Sequence, residues 1–159
     1  MKPWITLHEV KKTIDDFHLG PLTIDFEPGT ITALIGTNGS GKSTFCKMLM
    51  NLVKQTEGDI YVRGSNTYED GSTWKHHIAY QPQKPIGYDV YTGSDLQELI
   101  SPWYPTWNEE LFDTVVQELD IPMYKKFGKM SEGAQQKLLF ALTIAKNTDI
   151  LLLDEPTAH

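Results

Sequence analysis

Gly36-Thr37-Asn38-Gly39-Ser40-Gly41-Lys42-Ser43 fits the pattern G-x-x-x-x-G-K-[ST] at every fixed position. Before it, Thr30-Ile31-Thr32-Ala33-Leu34-Ile35 is short, apolar and rich in β-branched residues, and reads as a buried strand. After it, Thr44 to Val53 carries apolar residues at helical spacing. Strand, glycine loop and helix in that order read as a site for a nucleoside triphosphate. Gly36, Gly39 and Gly41 permit backbone conformations that a Cβ forbids. The loop can then turn its N–H groups around an anion, and the helix start points its positive end at the same place. Lys42 would reach the β- and γ-phosphates, and the Ser43 hydroxyl would ligate Mg²⁺. The candidate nucleotide contacts are Gly36, Asn38, Gly39, Ser40, Gly41, Lys42, Ser43 and Thr44. The bland alternative is a glycine turn that happens to carry Lys-Ser, and the strand-loop-helix setting argues against it.

The 159 residues suffice for one domain with a real core. Lys and Arg total 14 against 21 Asp and Glu, a formal charge of −7. That balance is poor for general nucleic-acid binding, which rests on basic patches, so no nucleic-acid partner is expected. The single cysteine, Cys46, excludes an intrachain disulfide and fits a reducing compartment. It reads as small buried filler rather than a nucleophile. No leader pattern and no bilayer-length apolar run is visible. A cytoplasmic protein is expected, with any membrane role depending on a partner.

Trp4 to Val10 and Leu22 to Phe26 alternate apolar and polar residues and read as strands, as do Gly58 to Gly64 and Ile78-Ala79-Tyr80. Prolines in Gln81-Pro82-Gln83-Lys84-Pro85 then force a loop. Ser94 to Ile100 and Asn108 to Leu119 read as helices, the second with a stripe of Leu111, Phe112, Val115, Val116 and Leu119. The aromatic connector between them, Ser101 to Trp107, is expected to pack a small helical layer rather than stack on a ligand. Ser131 reads as the N-cap of a helix through Lys146. Ile150-Leu151-Leu152-Leu153 reads as a central parallel strand covered on both faces, ending in Asp154-Glu155. A carboxylate at such a strand end can hold Mg²⁺, and the next can orient or deprotonate an attacking water. Asp154 and Glu155 are the candidates for those roles.

Gly36 to Ser43, Tyr80-Gln81-Pro82-Gln83, Met130-Ser131-Glu132-Gly133-Ala134-Gln135-Gln136-Lys137 and Ile150 to Thr157 follow one another in an order that resembles the ATP-binding cassette (ABC) ATPases. The third block resembles the family signature Leu-Ser-Gly-Gly-Gln. The stretch Trp103 to Glu110 and the Ser-x-Gly-x-x-x-Lys form of the signature look most like bacterial multidrug or peptide export ATPases. The resemblance implies an α/β fold: a P-loop NTPase (RecA-like) parallel-sheet core, an N-terminal antiparallel β-subdomain and an inserted helical subdomain. Residues 1–30 and 58–77 would form the β-subdomain. Residues 31–57, 78–90 and 147–159 would form the nucleotide-binding core, and 91–146 the helical signature subdomain.

The resemblance also implies roles. Gln83 would touch Mg²⁺ and the attacking water and couple to a membrane subunit; Gln81 is the weaker candidate because the family glutamine follows the proline. Asp154 would assist Mg²⁺ and Glu155 would be the catalytic base. Ser131 and Gly133 would contact the γ-phosphate of ATP held by a second nucleotide-binding subunit, where an ordinary N-cap is the alternative for Ser131. Glu132 and Ala134 depart from the signature, and a carboxylate near a γ-phosphate repels it unless it points away. Ile14 occupies the place of the family's adenine-stacking ring, with Phe17 nearby as a stacking or a core residue. The family continues past Glu-Pro-Thr to a switch histidine; His159 is too close to Glu155 to be it, and His76 and His77 read as solvated or capping residues. A C-terminally truncated domain is therefore expected, binding ATP better than it hydrolyses it. The implied function is an ATP-hydrolysing transporter subunit, with ATP and Mg²⁺ as cofactors, working with membrane-spanning subunits on the inner face of the plasma membrane. The alternative is a nucleotide-binding regulatory module without turnover. A soluble repair or translation ATPase is set aside, since tandem cassettes and long insertions are not seen.

Overall fold

Alternating apolar residues put Ile5 and Leu7 on one face of strand β1 (Ile5–Ile14), and both are buried. A bulge follows. The register shifts between Leu7 and Val10, and Glu9 takes a positive φ of 48°. The extra residue returns Val10 to the buried face, so the alternation survives with one slip. The structure is a computed structural model that describes residues 2–155. It divides into two compact units, Met1–His77 and Ile78–His159.

In the first unit β1 pairs antiparallel with β2 (Phe17–Phe26) and with β3 (Glu57–Val62), and β3 pairs with β4 (Ser65–Asn66). The sheet order is β2-β1-β3-β4. Ile60 and Val62 from β3 join Leu7 and Val10 as fully buried side chains. Helix α1 (Lys42–Leu49) buries Phe45, Cys46, Met48 and Leu49. Cys46 is thus core filler, as expected. The helix stops short of Val53 because Asn51 turns left-handed at φ 52°, and the Leu52 N–H bonds back to the Lys47 carbonyl.

The segment before the glycine loop corrects the sequence reading. Thr30–Ile35 carries no strand, and Ile31 and Ile35 are almost wholly exposed. An apolar run reports a preference for burial. It becomes a strand only where a neighbour takes its N–H and C=O groups, and no ladder is formed by these residues within the described chain.

In the second unit β5 (Ile78–Gln81) and β6 (Ile150–Leu153) pair in parallel, from Ile78↔Ile150 to Gln81↔Leu153. The connection between them holds three α-helices. Helix α2 (Gly93–Ile100) starts at a capping box of Thr92 and Asp95; α3 (Glu109–Glu118) is capped by Asn108; α4 (Glu132–Ile144) is capped by Ser131. Leu96, Phe112, Phe127, Leu138 and Leu142 fill the core between them, with Val115, Val116 and Leu119 packed at its edge. Trp107 joins this layer, its ring 5.3 Å from Phe112. Trp103 does not: it is 77% exposed, against the packing expected of it. A rigid Pro-flanked connector can dock some of its rings only by turning another outward. The expectation for β6 is corrected too. Within the described residues it has a ladder on one edge only, and Leu151 is 44% exposed rather than covered.

Candidate functional site

The glycine loop of the first unit is closed by its own groups. The Lys42 ammonium donates to the carbonyls of Gly36 at 2.6 Å and Thr37 at 3.0 Å. The Ser40 N–H meets the Thr37 carbonyl at 3.1 Å. Two glycines have a close neighbour where a Cβ would sit, and at Gly41 the backbone also demands glycine. A Cβ on Gly36 would lie 2.5 Å from Ser40 Oγ, and Gly41, at φ +102°, would set one 2.7 Å from the Phe17 ring. Gly41 is the N-cap of α1, so Lys42, Ser43 and Thr44 occupy the helix's first turn, where N–H groups lack intrahelical partners. Residues 31–40 are exposed, which leaves Asn38, Gly39 and Ser40 open to a ligand. Phe17 lies beside the loop at Gly41, whereas Ile14, at the other end of the β1–β2 turn, is half exposed.

The second unit gathers the other candidates at the carboxyl ends of β5 and β6. The parallel ladder ends at Gln81↔Leu153, and the Asp154 N–H extends it to the Gln81 carbonyl at 3.0 Å. The Gln83 amide donates to the Glu155 carboxylate at 2.8 Å. The Tyr80 hydroxyl donates to the Asp154 carboxylate at 3.4 Å, and Asp154 is buried. Gln81 is fully buried and gives its amide N–H to Gln136 of α4 at 3.2 Å. The fold therefore brings Gln83 and Glu155 together and directs Gln81 into the interior. Ser131 Oγ accepts from the Ala134 N–H at 3.2 Å, an N-cap bond, with Ser131, Glu132 and Gly133 exposed. His76 is exposed in a 3-10 turn. Pro156, Thr157 and His159 lie outside the described residues.

Tyr80 and Gln136 were not assigned roles from sequence. Both stand inside blocks that carry the family resemblance, but a side chain's partner 74 or 55 residues away is invisible to spacing. Among the described residues no cluster of three or more His, Cys, Asp or Glu is poised for a metal.

The family model for the ABC transporter matches residues 19–158. The chain belongs to this family. It is 30% identical over 154 residues to the ABC transporter ATP-binding protein YtrB of Bacillus subtilis (strain 168), covering 96% of this chain and 52% of that protein. It is 31% identical over 153 residues to the high-affinity zinc uptake system ATP-binding protein ZnuC of the same organism, covering 87% of this chain and 64% of that protein. The chain thus spans between about half and two thirds of these relatives. Among solved structures, an ATP-binding subunit of an ABC transporter superposes with a TM-score of 0.84 at 22% identity, covering 97% of this chain and 67% of that one. A bacterial Atm1-family ABC exporter with ATP bound superposes with a TM-score of 0.79 at 23% identity, covering 98% and 30%. The fold is the α/β P-loop fold of ABC ATPase domains, with its antiparallel N-terminal sheet, parallel strands and helices. No helix among the described residues is long and apolar enough to cross a membrane.

Proposed function

We propose that this chain binds Mg-ATP and serves as an ATP-hydrolysing subunit of a transporter, with Glu155 as base. The observation that carries the reading is the Gln83–Glu155 hydrogen bond, which pairs the two groups proposed to act on an attacking water. Lys42 would exchange the carbonyls of Gly36 and Thr37 for the β- and γ-phosphates, keeping its ammonium satisfied in both states. Ser43, Gln83 and Asp154 would offer oxygen donors to Mg²⁺, which supplies charge neutralisation at the phosphates when bound. Glu155 would take a proton from water that Gln83 orients. Phe17, whose ring lies against Gly41, would be the side chain that stacks on adenine. Ser131 and Gly133 would meet the γ-phosphate of ATP on a second nucleotide-binding subunit in a two-fold pair. Residues 1–30 and 58–77, residues 31–57, 78–90 and 147–159, and residues 91–146 would be its β, nucleotide-binding and helical parts. Membrane-spanning subunits would dock on the Gln83 loop and the helices from Ser94 to Asp120, holding the chain at the inner face of the membrane.

One observation favours a second reading, a nucleotide-binding module without turnover. Glu132 puts a carboxylate in the first turn of α4, next to the groups proposed to meet a phosphate. Titration with a fluorescent ATP analogue and steady phosphate release separate the readings. Lys42→Ala should weaken Mg-ATP binding by about 10- to 100-fold, the value of a charge-assisted contact. Unchanged affinity removes the loop from the site. Tight binding with no turnover, both in this chain and in a version extended past His159, selects the module.

A further inference from the structure

We infer that Gln136 is a positioning residue: its side-chain amide, held between Gln81 and Gln83, sets the Gln83 amide against Glu155. The inference rests on the proposed roles of Gln83 and Glu155 and adds to them the part that fixes their geometry.

Three consecutive polar residues open the body of α4, and each reaches a different place. Gln135 donates to the Phe127 carbonyl at 2.8 Å and Lys137 to the Leu119 carbonyl at 3.2 Å. Those two bonds tie α4 to its helical neighbours. Gln136 points to the end of β5, the strand against which α4 packs. Its Oε1 accepts from the buried Gln81 amide at 3.2 Å, and its Nε2 donates to the Gln83 carbonyl at 3.3 Å. A primary amide supplies a donor and an acceptor from one flat group, so one side chain grips two residues that flank Pro82.

Pro82 is the reason a grip is needed. It has no N–H, and the β5–β6 ladder ends one residue before it. Gln83 therefore lies past the strand, where the ladder no longer sets its backbone. Its carbonyl is held by Gln136 and its side chain ends on Glu155. Gln81 has the opposite surroundings. It is fully buried, and its Oε1 has no hydrogen-bond partner among the described residues. Removing Gln136 alone would also strand the Gln81 donor, and that cost is structural. The test must separate this cost from the positioning.

The test is NMR of the Gln83 side-chain NH₂ in the ¹⁵N-labelled chain, with and without Glu155→Gln. With Gln136 present, Glu155→Gln should shift these signals, because it removes a charged acceptor. In Gln136→Met the shift should be lost. In Gln81→Met, which keeps the Gln136–Gln83 bond, it should remain. If Gln136→Met does not fold, Gln81→Met/Gln136→Met removes both partners of the buried bond and should again show no shift. A full shift in either variant lacking Gln136 overturns the inference. In a preparation that turns over ATP, Gln136→Met should lower kcat by about tenfold or more with KM for ATP unchanged, the signature of a misplaced reacting group. Mg-ATP titration of the wild-type chain tests the functional reading separately, so the two failures appear in different measurements.

Discussion

The glycine loop and the acid cluster are built on different length scales. Lys42 closes the loop onto carbonyls six and five residues back. Around Glu155 the corresponding bonds join residues 72 apart for Gln83–Glu155, 74 for Tyr80–Asp154 and 55 for Gln81–Gln136. The loop's shape therefore follows mostly from short-range bonds, a lysine that reaches back and a Ser40 N–H that closes onto Thr37, with Gly41 alone facing a distant ring, that of Phe17. The cluster exists only while β5, β6 and α4 are assembled. The grip proposed for the nucleotide belongs to a locally coded element, and the groups proposed for chemistry belong to a globally coded one.

The largest expected effect separates the two. Glu155→Gln keeps the side chain's shape and an acceptor for Gln83 but removes the base. In a preparation that turns over ATP, turnover should fall by about 10²- to 10⁴-fold while Mg-ATP affinity stays within the range of the wild type. Phosphate-release rates beside nucleotide titration check this. Full turnover in the variant removes Glu155 as base, and lost binding breaks the division between grip and chemistry.

The next effect is a pH dependence at the far end of α4. Lys146 is largely buried, and burial lowers its pKa from 10.5 to about 8. Its ammonium lies 4.6 Å from the Tyr104 ring centroid, and its carbonyl accepts from the Thr106 hydroxyl. Below pH 8 the lysine is charged in both folded and unfolded chains, and the fold carries the desolvation cost. Between about 8 and 10.5 the folded chain has shed the proton while the unfolded chain still binds it. Stability should therefore rise with pH across that window, by at most about 3 kcal/mol. Burial pushes the Tyr104 and Tyr88 hydroxyls up, which keeps both neutral through its lower part. Urea unfolding at pH 7 and pH 9.5 should show the rise in the wild type relative to Lys146→Met. Equal pH responses in the two would mean that the tertiary packing does not desolvate this lysine.

The smallest effect sharpens the comparison from the local side. Ser131 caps α4 through a bond to a residue three positions on. Ser131→Ala should cost about 1 kcal/mol in thermal or urea unfolding and leave the Gln83 amide signals unmoved. A shifted Gln83 amide would show that a local contact does control the distant cluster.

Much of this architecture was legible in the chain. Ser131 reads as a cap because a cap is a relation between near neighbours, and the stripe on α3 reads as a core face for the same reason. Cys46 was placed correctly by its position in an amphipathic helix. Thr30–Ile35 was misread, and so was the cover expected of β6, though not its parallel pairing, because apolar composition states a preference for burial and names no partner strand. Trp103 was misread likewise, since nothing in a row of aromatics says which ring is turned out.

Sequence alone determined the glycine loop, the Ser131 cap and the family, because each is written in residue type at fixed short spacing. Tertiary structure decided the rest: that Gln83 meets Glu155, that Gln81 is buried, and that Gln136 stands between them. The physical reason is reach. A glycine's φ or a cap's hydrogen bond is settled within a few residues, whereas a carboxylate finds a glutamine 72 residues away only after a parallel ladder and a packed helix have fixed both backbones.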